Sequence, residues 1–367
     1  MSDCYIGLMS GTSLDGIDAV AVSFEPTFCL HASHTHPLPA DLRQLILQLN
    51  HSGSDEIDRL GQLDIALGRV FAEAVQGLLD NSGLLPEQIR AIGSHGQTIR
   101  HRPELGFSLQ IGDPATLAEY TGITTVADFR RRDLAAGGQG APLVPAFHQA
   151  LFRQEGQDRV LANLGGMANI TLLPGDRERP VLGYDTGPGN VLMDAWIRRH
   201  RGLAYDADGQ WAASGRVHAG LLEQLLRHPY FARTPPKSTG REQFDLPWLD
   251  DQLQQLAEPV ASVDVQTTLL ELTALSLTRA IQHHALSRPE LLLCGGGSHN
   301  RQLQQRLQLH LPQARLTTSA AGGLEPDWVE AAAFAWFAMR TLSRQPSSLA
   351  AVTGARGDRI LGAIHYP

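Results

Sequence analysis

The feature that most limits what this chain can fold into is a strand-turn-strand unit that occurs twice. Tyr5–Phe24, reading YIGLMSGTSLDGIDAVAVSF, sets two apolar runs around a turn of small, hydroxylic and acidic residues. About 150 residues later Val160–Leu173, reading VLANLGGMANITLL, sets two more apolar runs around a Gly-Gly turn with an amide neighbour. A hairpin cannot stand alone and must be extended by further strands or covered by helices. A chain of 367 residues can build two such α/β lobes, each with its own core.

The turns have chemistry of their own. Ser10, Gly11, Thr12, Ser13 and Gly16 combine unhindered backbone N–H groups with hydroxyl donors, which suits phosphate oxygens, and Asp15 is placed to hold a metal ion. Gly11 and Gly16 have the glycine spacing of a Walker A loop. That reading fails because Ile17 and Asp18 stand where Lys and Ser/Thr belong and a strand follows instead of a helix. Taken alone, the first turn is equally compatible with a hairpin that binds nothing. The second turn raises the phosphate reading, and so does a third, Leu291–Asn300 (LLLCGGGSHN), which follows a short buried strand and opens an amphipathic helix over 301–309. The N-terminus of that helix is expected to offer free N–H donors to an anion or ribose. A dinucleotide fingerprint is a weak alternative there, since Asn300 stands where its last glycine should be.

Charge and cysteine content narrow the classes. A net charge of −8 gives no general attraction for nucleic acid, and the densest basic cluster, Arg130-Arg131-Arg132, lies in a glycine-rich stretch better suited to a small anion. Cys4, Cys29 and Cys294 have no metal-ligand spacing and are expected to be reduced thiols. His31, His34 and His36 lack acidic or Cys companions and read as one face of a solvated strand, and His283-His284 reads the same way. No apolar run reaches bilayer length and no basic leader precedes the first strand, so a cytoplasmic protein is expected.

Two phosphate hairpins followed by a Gly-Gly-Gly turn resemble the superfamily of actin, sugar kinases and 70-kDa heat-shock ATPases. Six blocks narrow the match: Gly7–Gly16, Gly93–Thr98, Ala127–Asp133 with Gly137–Leu143, Asp185–Asn190, Pro236–Arg241 and the Gly295–Gly297 turn. Together they look like the anhydro-N-acetylmuramic acid kinase family. The resemblance implies two ribonuclease-H-like α/β lobes around a nucleotide cleft. It also implies a cell-wall recycling enzyme that uses ATP, Mg²⁺ and water to open the 1,6-anhydro ring of its sugar and place phosphate on O6. The expected partners are that amino sugar and ATP, with no nucleic acid and no membrane; a homodimer is left open.

The same resemblance assigns residues. ATP and Mg²⁺ fall to Ser10, Gly11, Thr12, Ser13, Leu14, Asp15, Gly16, Ile17 and Asp18, to Asn163, Gly165 and Gly166, and to Gly295, Gly296 and Gly297, with Asp15 meeting the metal directly or through water. The sugar falls to His95, Asp128, Arg131 and Asn190, with Arg131 suited to the lactyl carboxylate by bidentate pairing. Asp185 is the expected general base, read at the end of an apolar strand just before Thr-Gly-Pro-Gly-Asn, with an N-cap as its structural alternative. Glu330 is expected to reach the sugar or the attacking water, against the ordinary reading of a helix-surface Glu. Lys237 and Arg241 read either as a mobile loop over the cleft or as an inter-lobe salt-bridge pair.

Periodicity supplies the layout. Leu60, Leu63, Leu67, Val70, Phe71, Ala74, Val75 and Leu78 predict a helix over 55–79, ended by Asn81 and Gly83. Further helices are expected over 190–201, 266–285 and 327–342, and strands near 91–93 and 181–184. The first lobe is expected over 1–130 with 344–367 returning to it, where the family resemblance implies a strand over 352–366, and the second lobe over 131–343, with 121–143 as the crossing. Two rival functions stay open: phosphorylation of an ordinary hexose or N-acetyl sugar, with Asp185 deprotonating a hydroxyl, and an ATP-switched chaperone or filament protein.

Overall fold

The computed structural model describes residues 3–11, 14, 16–241, 243–284 and 286–367. Among them, the strands in chain order are β1 (Cys4–Met9), β2 (Gly16–Ser23), β3 (Cys29–Pro37), β4 (Ile89–Ser94), β5 (Gln97–Arg102), β6 (Phe107–Ile111), β7 (Thr125–Ala127), β8 (Arg159–Leu164), β9 (Met167–Leu173), β10 (Leu182–Pro188), β11 (Glu290–Cys294), β12 (Arg315–Thr318) and β13 (Ala363–His365). The chain divides into two compact units, one of Met1–Leu151 with Trp328–Pro367 and the other of Phe152–Asp327. Segments 131–151 and 328–343 therefore sit with the first unit, although the composition of 131–143 reads like a crossing. Arg130, Asp133 and the 137–140 turn bond to residues of that same unit, which ties the glycine-rich stretch down.

Each unit is built on one main sheet, the first adding the two-stranded sheet β5-β6, and the two main sheets share a plan. In the first unit the order is β13-β7-β4-β1-β2-β3, and in the second β10-β9-β8-β11-β12. Strands β1, β2 and β3 form an antiparallel meander, and β4 and β7 then add in parallel beyond β1. The second sheet repeats this with β8, β9 and β10 as the meander and β11 and β12 as the parallel additions. The two turns recognised in the sequence, after β1 and after β8, are thus the same position of a duplicated topology. The Gly93–Thr98 block after β4 corresponds likewise to the Gly295–Asn300 block after β11. The short strand β13 pairs antiparallel with β7, so the C-terminal return is three residues of strand rather than the whole 352–366 tail.

Helix Glu56–Ser82 covers the first sheet with the expected apolar stripe and runs to Ser82, ended by Gly83 at φ 70. Ile6, Leu8, Ile17, Phe71 and Leu78 form the centre of that core. The second core gathers Leu164, Ile170, Trp196, Leu269 and Leu293. Strand β11 is buried along its length, as an apolar run flanked by parallel neighbours should be. Strand β3 alternates in exposure, and this splits the histidines. His34 and His36 face helix Glu56–Ser82, meeting Asn81 at 3.3 Å and Glu73 at 3.5 Å. His31 points the other way and bonds the Ser23 hydroxyl at 2.9 Å. They do not form one face.

Helix Val329–Leu342 lies unusually close to the first sheet. Gly7 and Gly93 are register partners on β1 and β4. A Cβ on Gly7 would stand 2.8 Å from the Ala331 carbonyl carbon, and one on Gly93 would stand 2.6 Å from that of Phe334. The helix answers with Ala331, Ala332, Ala335 and Ala338, all buried. Two motif glycines therefore serve helix-on-sheet packing and set the depth of the helix that carries Glu330 in its first turn.

Candidate functional site

In the first unit the family-like blocks converge at the C-terminal ends of β1, β4 and β7, the edge at which open α/β sheets bind ligands. The Ser10 hydroxyl is buried and donates to Gln97 Oε1 at 2.8 Å. The His95 N–H donates to the Leu8 carbonyl at 3.1 Å, joining the β1 and β4 ends directly. The Arg130 guanidinium donates to His95 Nε2 at 2.8 Å and to the Gly140 carbonyl at 2.8 Å. Asp133, fully buried, accepts from the Gly140 N–H at 2.8 Å and the Thr353 hydroxyl at 2.7 Å. Four sequence segments are locked into one polar network by side chains that composition alone does not distinguish from their neighbours.

His95 is a neutral imidazole in this network. Burial, with the Arg130 cation next in weight, holds it down to about 3. Because Arg130 has no acceptor to offer, Nε2 must be the acceptor and the ring proton sits on Nδ1. His148 is equally buried and is likewise held down to about 3. The unfolded chain takes up a proton at each of these positions below about 6.5, whereas the folded chain does not. Their stabilising contribution is complete above that pH and is lost as pH falls from about 6.5 toward 3, at about 1.4 kcal/mol per pH unit for each group. The urea midpoint of the first unit is accordingly expected to drop between pH 7 and pH 5. A midpoint that stays flat would show that these imidazoles are not buried and neutral.

Several expected ligand-binding residues of this unit have structural employment. Ile17 is wholly buried and Leu14 nearly so, leaving only their backbones to a ligand. A Cβ on Gly16 would stand 2.8 Å from the His36 carbonyl oxygen, so that glycine is required by the β2–β3 pairing. Asp18 accepts from the Thr35 hydroxyl at 2.8 Å across the same pair. Gly11 closes the turn, its carbonyl accepting from the Leu14 N–H at 3.3 Å. Thr12, Ser13 and Asp15 lie outside the described residues. Arg131 is two-thirds exposed and pairs with Asp128 at 3.4 Å, while its neighbour Arg130 goes inward. Asp128 adopts φ 58, and burial raises its carboxyl against the opposing pull of Arg131. Glu330 sits in the first turn of helix Val329–Leu342, half-buried.

The second unit gathers its blocks as tightly. The Gly165 and Gly166 carbonyls accept from the Asn190, Gly189 and Val191 N–H groups at 2.9, 2.9 and 3.1 Å. The Asn190 side chain donates to the Leu164 carbonyl at 2.9 Å, so this expected sugar ligand holds the second hairpin. Gly297 packs on Leu164 and stands near Asn190 Oδ1. Gly295 takes φ 76 and lies against Asn163. The helix after this turn is Arg301–His310, preceded by a tight turn over Gly296–His299, and Asn300 caps it by accepting from the Leu303 N–H at 3.0 Å. Part of the expected anion site is thereby occupied by the chain itself. Two features remain fit for a nucleotide. Asn163 Oδ1 and Ser298 Oγ are buried without a hydrogen-bond partner, and the Cβ side of Gly296 faces open space.

Asp185 is inside β10 rather than at its end, at a register shift between Asp185 and Gly187 opposite Asn169 and Ala168. Asp185 keeps Asn169 as its register partner and Thr186, next in the chain, has none, so the strand is irregular directly beside the carboxylate. Its Oδ2 accepts from the Thr239 N–H at 2.9 Å, its N–H donates to the Lys237 carbonyl at 3.4 Å, and its carbonyl accepts from the Tyr230 hydroxyl at 2.6 Å. Asp185 and the Pro236–Arg241 block thus form one structure. Spacing offered no hint of that contact, because 54 residues separate Asp185 from Thr239.

Comparison with known proteins agrees with this assembly. The family model described as anhydro-N-acetylmuramic acid kinase matches residues 3–367. A protein of that name from Saccharophagus degradans is 53% identical over 370 residues, covering 99% of each chain. Another from Shewanella loihica is 52% identical over 363 residues, covering 98% of each. Component A of (R)-2-hydroxyglutaryl-CoA dehydratase from Acidaminococcus fermentans aligns with a TM-score of 0.50 at 10% identity, over 92% of this chain and 97% of that one, a likeness of fold alone. With its motif blocks assembled at corresponding strand ends of two duplicated sheets and a match that runs its full length, the chain belongs to the anhydro-N-acetylmuramic acid kinase family.

Proposed function

We infer that this protein is an ATP-dependent kinase that opens the 1,6-anhydro ring of anhydro-N-acetylmuramic acid with water and phosphorylates O6. The products are N-acetylmuramic acid 6-phosphate and ADP, in the recycling of peptidoglycan. The observation that carries this reading, given the family, is Asp185: a carboxylate beside a strand irregularity and gripped by backbone from a second family block. In the proposed reaction Asp185 takes a proton from water as that water attacks C1 from the face opposite the bridge. The C1–O6 bond breaks, and O6 bonds to the γ-phosphoryl group as the bond to ADP breaks. The departing oxygen is captured by phosphorus and needs no proton from an acid, so one base suffices where inverting glycosidases use two carboxyl groups.

The remaining assignments belong to the same proposal. Ser10 and Gly11 with the rest of the first turn, and Asn163 with Gly295–Gly297, meet ATP; His95, Asp128 and Arg131 meet the sugar, and Glu330 assists at the sugar or the water. Among the described residues no three His, Cys, Asp or Glu side chains gather to hold a metal. Mg²⁺ is carried mainly by phosphates and waters with one or two carboxylates; Asp15 is the proposed protein contact. When bound, Mg²⁺ supplies neutralisation of phosphate charge. No helix among the described residues is long and apolar enough to cross a membrane. A cytoplasmic location and a homodimer complete the proposal, to be checked by cell fractionation and sedimentation.

Turnover in ¹⁸O-labelled water tests the reaction. The label is expected on C1 of the product, with the anhydro sugar consumed far faster than the open reducing sugar. Faster phosphorylation of the open sugar, with no label on carbon, would favour the ordinary sugar kinase. The nucleotide half is tested by Gly296→Val. Its Cβ side is open and its φ ordinary, so the variant should fold, yet ATP affinity by calorimetry is expected to fall about tenfold or more as the added methyls fill the space. Unchanged affinity would remove this turn from the nucleotide site.

A further inference from the structure

Lysine is rarely drawn into a protein interior without a partner. Lys237, half-buried in the second unit, finds its partners on two ring faces and a backbone carbonyl. Its Nζ stands 4.8 Å from the centre of the Tyr230 ring and 5.7 Å from that of Tyr184, and donates to the Tyr230 carbonyl at 3.5 Å. Both tyrosines are themselves fixed. Tyr230 is fully buried, with its hydroxyl on the Asp185 carbonyl. The Tyr184 hydroxyl meets His284 Nε2 at 2.7 Å. Arg233, the other cation here, lies 5.8 Å from the Tyr230 ring centre. Burial lowers the Lys237 ammonium, with Arg233 adding to the effect and Asp185 opposing it.

The backbone on either side of this lysine is what holds Asp185. The Lys237 carbonyl accepts the Asp185 N–H, and two residues later the Thr239 N–H reaches Asp185 Oδ2. We propose that Lys237 is a positioning residue for Asp185: its ammonium, clamped on the faces of Tyr184 and Tyr230, fixes the 237–239 segment that sets the carboxylate's place and orientation. Neither a mobile cover nor a salt bridge accounts for a cation held on two aromatic faces of its own unit. The inference rests on the reading of Asp185 as the base, whose reach to a water fails with displacements of about 1 Å.

Lys237→Met keeps most of the aliphatic stem and removes the charge, and Lys237→Arg keeps a cation that stacks on aromatic faces. Lys237→Met is expected to lower kcat about tenfold or more, with KM for both substrates within about twofold, and Lys237→Arg to recover most of the loss. A wild-type kcat in Lys237→Met, a loss expressed mainly in KM, or a loss that Arg does not recover would overturn the proposal. Should Lys237→Met fail to fold, Lys237→Gln carries the test by removing the charge while keeping a donor for the Tyr230 carbonyl, and an unchanged kcat there would overturn it. Asp185→Asn assayed in parallel separates the two ideas. Near-normal turnover in Asp185→Asn overturns the base assignment itself, whereas a dead Asp185→Asn beside a silent Lys237→Met overturns the positioning role alone.

Discussion

Replacing Asp185 with Asn is expected to lower kcat by about 10²- to 10⁴-fold while leaving ATP affinity within a few-fold of normal. The amide cannot accept the proton that water must lose as it attacks, and this accounts for the rate. Nothing comparable happens to the site's shape. Asn Oδ1 can still accept from the Thr239 N–H, now held at 2.9 Å, and the backbone bonds to Lys237 and Tyr230 do not involve the side chain. The two effects therefore separate cleanly in steady-state kinetics and calorimetry. A variant with near-normal kcat would remove Asp185 from the chemistry. A variant that loses ATP binding as well would show that the carboxylate's charge is needed to build the site, a structural role in place of a chemical one.

How much of this was legible in the sequence depended on whether a residue's task was local. The hairpins around 10–16 and 165–166 were visible because alternating strands and a glycine turn are written within about twenty residues. The duplicated sheet follows from them once β4, β7, β11 and β12 are seen as the strands that extend each meander in parallel. Helix Glu56–Ser82 was legible from its apolar stripe, though Ser82, four residues beyond the last periodic position, closes it through Gly83. Long-range polar pairing was not legible. Arg130 and Arg131 are the same residue type side by side, yet one bonds His95 and the other reaches Asp128 near the surface, a choice made by helical phase and by the Gly140 carbonyl. Asn190 and Asp18 looked like ligand groups because polar side chains in motifs usually are. Their partners, the Leu164 carbonyl and the Thr35 hydroxyl, appear once the strands are in register.

Glycine was the residue most easily misread. Near a phosphate turn each glycine invites the same explanation, that a backbone must approach a ligand. The close neighbours give three different reasons: Gly16 is required by a strand partner, Gly7 and Gly93 by a helix, and Gly296 by nothing in the protein. The last kind leaves open space, which at this turn is where the proposal places the nucleotide.

That distinction makes Gly93→Ala the largest expected loss of stability. Its Cβ would stand 2.6 Å from the Phe334 carbonyl carbon, a backbone atom inside helix Val329–Leu342, and 3.1 Å from the Ala338 methyl. A flexible side chain could swing away, but a helix carbonyl moves only with its helix. That helix is pinned from several sides: Ala331 lies over Gly7, and the Phe334 ring packs 4.8 Å from His95 and 5.6 Å from Phe129. Overpacking of this kind costs about 3 kcal/mol, or more where relaxation is blocked, which for a unit of this size lowers its melting transition by about 10 °C. Whatever shift relieves the clash carries Glu330 with it, so kcat is expected to fall even at temperatures where the variant is folded. Gly61→Ala is the matched control. Gly61 lies inside helix Glu56–Ser82 with nothing within 4 Å of its Cβ position, so the same added methyl should raise stability, by up to about 1 kcal/mol, through helix propensity. Calorimetric melting of the two variants beside the parent protein tests the argument. If Gly93→Ala melts with Gly61→Ala, then the helix does not rest on the bare backbone of β4, and the placement of Glu330 has another cause.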